Sequence, residues 1–169
     1  MFFANWLKNI FCRNKVPVGF DLSVVGDSER IVRFLLSPLH FRNGRLRSNA
    51  FNPSVGSDEI SVNRLEIISI ERTKPIAKGM AVANSQGEYC GFALHTKSSA
   101  MSCGVRDVKP DALENNKAHA EIKLGIVRKD LEIPAEIMEI KDKLTERSKL
   151  LLDPNPEEDG WSGPEPIYQ

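Results

Sequence analysis

The sharpest chemical suggestion in the chain is His119-Ala120-Glu121. A His-x-Glu pair is half of the zinc deaminase arrangement, in which the histidine ligates the metal and the glutamate shuttles a proton. The other half is a downstream Pro-Cys-x-x-Cys, and no cysteine follows Cys103, so the site would hold one ligand and no cage. The plainer expectation is that His119 and Glu121 share one face of a strand and make ordinary hydrogen bonds. The three histidines, His40, His95 and His119, have no ligand spacing. A thiol of Cys90 or Cys103 beside His119 could make a nucleophile and base, but only with adjacency and an activated thiolate. Buried, inert cysteine is expected instead, with no metal site and no cofactor. Gly-x-Gly-x-x-Gly, the Walker phosphate loop and Gly-x-Ser-x-Gly are all missing, which removes the commonest nucleotide-binding and hydrolase signatures.

Two looser constellations survive. Arg33 in an early strand, Ser61 in a middle one and Glu121 in a late one could recreate the trio of an ADP-ribosyltransferase-like site. There the arginine holds a dinucleotide phosphate, the serine shapes the nicotinamide pocket and the glutamate stabilises an oxocarbenium-like transition state. The second is Arg42, Arg45 and Arg47, the one tight basic cluster. Guanidinium forks suit phosphate or carboxylate, so the cluster is a nucleic-acid candidate with Phe41 and Phe51 as nearby aromatics, or else a solvated hairpin.

The elements that must position these residues follow from periodicity. Arg30 to Ser37 is β-branched and aromatic enough for a largely buried strand that Pro38 ends. Leu39 to Ser57 reads as a long ordered loop or hairpin, with turn chemistry at Asn43-Gly44. Glu59 to Glu71 alternates as one or two strands, Pro75 to Ser85 reads as a short helix opened by its proline, and Tyr89 to His95 as a core strand. Ala118 to Val127 is another strand. Pro134 to Leu152 is the strongest helix, placing Ile137, Ile140 and Leu144 on one face and glutamate–lysine pairs on the other. The expected architecture is α+β: a small mixed or mostly antiparallel sheet covered by that C-terminal helix, within a single domain spanning residues 16–152.

Both ends carry aromatic residues outside this domain. Residues 1–15 read as an amphipathic N-terminal helical appendage bearing Phe3, Trp6 and Phe11. Residues 153–169 are acidic and proline-rich, and are expected to form a disordered tail. Trp161 and Tyr168 are unusual in a spacer, so these five aromatics are candidate anchors for a protein partner. Lysine plus arginine and aspartate plus glutamate stand at 23 each, which gives the whole molecule no electrostatic drive toward nucleic acid or anionic membrane. No apolar stretch reaches the length of a bilayer span, and the three unpaired-looking cysteines fit a reducing, cytoplasmic compartment.

The ordered set Arg33, Pro38, His40, Gly44, Leu46, Ala50-Phe51, Asp58 to Arg64 and His119-Ala120-Glu121 resembles a group of small uncharacterised bacterial proteins. Their shared pattern is Pro-x-His, Gly, Ala-Phe, Ile-Ser-Val-x-Arg and His-Ala-acidic, over roughly Ile31 to Leu124, with no established activity and an association with defence genes. The resemblance implies a polar pocket where His40, Ser61, Arg64, His119 and Glu121 converge. The preferred function is a non-catalytic accessory subunit of a bacterial multi-protein system such as one of antiviral defence. An enzyme or nucleotide sensor at the pocket is the first alternative, and nucleic-acid binding through the arginine loop the second.

Overall fold

The computed structural model describes residues 18–85 and 87–168. Phe3, Trp6 and Phe11, with the helix expected over 1–15, lie outside the described residues. The central element is β1, Arg30–Ser37, as its β-branched and aromatic run predicts. It sits fourth in a six-stranded antiparallel sheet. Around it lie β4 (Glu59–Arg64), β5 (Glu88–Thr96), β6 (Asp107–Pro110), β7 (His119–Lys123) and β8 (Lys149–Leu152), in the order β6-β7-β4-β1-β5-β8. A two-stranded hairpin, β2 (Phe41–Arg42) with β3 (Arg45–Leu46), follows β1.

Two-residue alternation gives the sheet two apolar faces. On one, Ile31, Leu35, Ile60, Val62, Ala93, Ala120 and Ile122 pack under α3, Ala135–Arg147, through its Ile137, Ile140 and Leu144. On the other, Val32, Leu36, Phe92, Leu94 and Leu151 pack under α1, Ile70–Asn84, through Ile70, Ala77 and Ala81. A short helix α2, Lys97–Met101, connects β5 to the far edge. The architecture is therefore the expected α+β sheet under a C-terminal helix.

Two boundaries differ from the sequence expectation. Helix α1 starts five residues before Pro75, because Ser69 caps it: the Ser69 hydroxyl accepts from the Arg72 N–H at 3.3 Å. Helix α3 stops at Arg147, and Leu150–Leu152, read as its last turn, instead forms β8 against β5.

The tail is the largest correction. Residues 153–168 contain no helix or strand, yet they lie along the domain rather than free of it. Asp153 is buried and pairs with the equally buried Lys74 at 2.8 Å. Lys74 Nζ also donates to the Asn155 and Gly160 carbonyls, Lys78 Nζ to those of Glu157 and Glu158, Arg30 to Pro166 and Lys149 to Ile167. Local composition forbids a self-contained fold here, but four cations from the domain satisfy the tail's backbone acceptors.

The β1–β4 junction matters for the site. β1 pairs with β5 along its whole length, but with β4 only at Ile31↔Arg64 and Val32↔Asn63. Beyond Val32 the two central strands part.

Candidate functional site

The alternation of β4 and β7 puts Ser61 opposite Glu121 and Asn63 opposite His119, so Ser61, His119 and Glu121 share one sheet face. Each is committed locally or stands alone. His119 Nδ1 lies 2.8 Å from the Asp111 carbonyl and 3.0 Å from its carboxylate. Lys123 bridges Glu121, at 2.7 Å, and Glu59; the Lys123 hydrogen bond holds the Glu59 carboxyl below its ordinary range. Ser61 is exposed.

Arg64 and His40 do not join them. Arg64 is on the opposite face, 1 % exposed, in a bidentate pair with Glu29 at 2.5 and 3.0 Å. Its remaining donors take the carbonyls of Asp21, Leu22 and Val24, so it fastens the 20–29 segment that composition leaves unstructured. His40 is buried at the hairpin base. Its Nδ1 accepts from the Leu36 N–H at 3.3 Å, which places its proton on Nε2. Burial, then the nearby Arg33 charge, push it down to about 4, so the ring is neutral. The five-residue pocket implied by the resemblance is thus divided among three places.

The thiols and the metal reading fare similarly. Burial pushes Cys90 up to about 11 and raises Cys103, leaving both protonated, and Cys103 Sγ points to the Ser99 carbonyl at 3.4 Å rather than to His119. Among the described residues no three His, Cys, Asp or Glu side chains are grouped to hold a metal ion.

The candidate partner anchors at the C-terminus are spent on the chain itself. Trp161 packs on Phe92 with ring centroids 5.8 Å apart and donates from Nε1 to the Pro164 carbonyl. The Tyr168 hydroxyl meets Ser99 Oγ and donates to the Arg147 carbonyl, and its ring lies 6.2 Å from that of His95.

The hairpin is different. Asn43 (φ 53°) and Gly44 (φ 74°) supply the left-handed pair that a two-residue hairpin turn requires. Register pairs Phe41 with Leu46 and Arg42 with Arg45, so the apolar pair faces one side, where Leu46 packs on the core, and the arginines face the other. Arg47 continues extended (φ −109°, ψ 142°) on the same side as Arg45. All three arginines are exposed and, among the described residues, none makes an ion pair or side-chain hydrogen bond. They line a shallow hollow with Asn43 and Leu46.

Arg33 lies at the base of this hairpin, a role its sequence position does not disclose. Where β1 and β4 part, its guanidinium enters the gap: Nη1 donates to the Ser61 carbonyl at 3.0 Å and Nε to the Ala50 carbonyl at 3.2 Å. Its Cζ lies 4.6 Å from the Phe34 ring centroid. The Ala50 N–H in turn bonds to the Arg47 carbonyl, and the Arg47 N–H to that of His40, tying Arg33 to the hairpin. No carboxylate among the described residues pairs with Arg33. Burial draws it down to about 10, still charged at neutral pH.

Comparison with protein-family models, curated proteins and solved structures gives no match, so the resemblance to small bacterial proteins stands on its quoted motifs alone. No helix among the described residues is long and apolar enough to cross a membrane.

Proposed function

We propose that the protein is a non-catalytic interaction module, an accessory subunit whose contact surface is the Arg42, Arg45 and Arg47 face of the β2–β3 hairpin. The observation that carries this reading is three exposed guanidiniums on one side of a rigid turn, with no acidic partner among the described residues. Several cations elsewhere are matched, Arg30 to Glu66, Arg64 to Glu29, Lys74 to Asp153, Lys97 to Asp107 and Lys143 to Glu139, whereas the hairpin gathers three unmatched ones on one side. An unpaired cluster favours an anionic partner and fixes its approach. Because Trp161 and Tyr168 pack on their own domain, the contact moves from the terminal aromatics to the hairpin. The test is affinity purification from the native host of the full chain and of R42A/R45A/R47A. A stoichiometric partner recovered only with the unsubstituted chain is expected; identical partners with both would refute the hairpin as contact surface.

A second reading rests on another observation: Arg33, Ser61 and Glu121 occupy three neighbouring strands, β1, β4 and β7, with Arg33 bonded to the Ser61 carbonyl and Ser61 opposite Glu121. Alternation puts Arg33 on the Ile31 and Ala93 face, opposite Ser61 and Glu121, so ADP-ribosyl transfer requires Glu121 released from Lys123 and Arg33 carried through the β1–β4 gap to a phosphate. Incubation with labelled nicotinamide dinucleotide tests it. Label transferred or dinucleotide consumed by the native chain, and not by Glu121→Gln, would make the protein an enzyme; no turnover removes this reading.

A further inference from the structure

We infer that the hairpin and the mouth of the β1–β4 gap form a seat for a phosphodiester backbone, with Arg42, Arg45 and Arg47 contacting successive phosphates and Arg33 as the floor. This deepens the interaction reading and rests on it.

Two observations, independent of each other, point to anionic oxygen. The first is the exposed trio. Arg42 and Arg45 are directly opposite on the ribbon, where Cβ atoms stand about 5 Å apart, and Arg45 and Arg47 are two residues apart on one extended strand, about 7 Å. That corner of three planar forks, each close to the next, suits a polymer with one fixed anion per repeat. Acidic side chains on a folded surface carry no such regular spacing.

The second is Arg33. A half-buried guanidinium that meets two main-chain carbonyls and the Phe34 ring, but no carboxylate among the described residues, is an uncompensated charge, and such charges are costly unless an anion meets them. The neighbouring ring, His40, is held neutral in part by the same positive field. The phosphate that Arg47 meets at the hairpin base would accept from Arg33 as well, while its neighbours along the strand meet Arg45 and Arg42. All four are arginine, whose fork takes two phosphate oxygens at once where lysine offers a point charge. The molecule's balanced net charge supplies no general attraction, so binding rests on this local cluster.

The experiment is fluorescence anisotropy with the full chain and a labelled single-stranded oligothymidylate. The controls are a duplex of the same length, the same strand with uncharged methylphosphonate linkages, and labelled polyglutamate. Binding to the charged strand, a loss of roughly twenty-fold between about 50 and 200 mM salt for three phosphate contacts, and no binding to the methylphosphonate strand are expected. R42A/R45A/R47A, whose exposed side chains hold no structural bond, should abolish binding with an unchanged unfolding midpoint. Arg33→Lys should weaken it several-fold. A preference for strand or duplex identifies which nucleic acid supplies the phosphates. Equal binding of the methylphosphonate strand, no binding of either charged form, or binding that survives the triple substitution overturns the proposal. Binding of polyglutamate alone overturns it while leaving the anionic-partner reading standing.

Discussion

The C-terminal tail and the β2–β3 hairpin are both polar segments outside the hydrophobic core, and they treat charge in opposite ways. In the tail the charged groups are met: Lys74 lies inside a ring of Asp153, Asn155 and Gly160 oxygens, and Lys78, Arg30 and Lys149 reach further carbonyls, beside the packing of Trp161 and Tyr168. In the hairpin the backbone is self-sufficient, closed by Asn43-Gly44, and the cations have no acceptor among the described residues. Charge used to hold a segment is unavailable for a partner, and charge that holds nothing can be removed without harm to the fold. The contrast separates structural from interaction charge in a chain whose total is zero.

The largest expected effect lies in the tail. Lys74→Met leaves Asp153 buried without its partner and should cost about 3–5 kcal/mol, read as a shift in the urea midpoint. Lys74→Met with Asp153→Leu should recover part of the loss, and failure to recover any would mean that the carbonyl contacts matter more than the ion pair. Trp161→Ala should cost about 1–3 kcal/mol through lost packing on Phe92, with faster amide exchange over residues 155–168 and none over the hairpin.

An acid titration should act on both regions. His40 at the hairpin base and His95 under Tyr168 are each held down to about 4, mainly by burial, from 6.5 when unfolded. Their folded values are depressed, so their neutral forms contribute fully above about pH 6.5 and that stability is lost as pH falls toward about 4. The slope approaches about 1.4 kcal/mol per pH unit for each ring. His95→Gln should flatten half of that slope in denaturant midpoints taken across this window. Smallest of all, R42A/R45A/R47A should shift stability by no more than about 0.5 kcal/mol; a larger loss would show that the hairpin charges are structural after all.

Local signals carried the elements whose cause is local. β1 stands at Arg30–Ser37 because β-branched residues run up to Pro38, and the hairpin turns at Asn43-Gly44 because both positions need positive φ. Ser61 and Glu121 came to one face through simple alternation. What stayed hidden depended on distant partners. Leu150–Leu152 satisfies helix and strand patterns equally, and pairing with β5 decides between them. The tail's composition is that of a free segment, and nothing within it announces that Lys74, some eighty residues earlier, will hold it. Arg64 looked like a pocket residue because a buried arginine and a ligand-binding one are the same letter; Glu29 makes the difference.

The parting of β1 and β4 has a mechanical consequence. A ladder of two register pairs joins the plate β6-β7-β4 to the plate β1-β5-β8, and past Val32 the only side-chain hydrogen bond between β1 and β4 among the described residues is the Arg33 guanidinium reaching the Ser61 carbonyl. Shear across the sheet is borne there by one side-chain hydrogen bond and the packing of Leu35, Ile60 and Val62 under α3 rather than by a row of backbone bonds. An anion that draws Arg33 outward would cut that stitch, so occupancy at the hairpin would be felt as slack in the middle of the molecule.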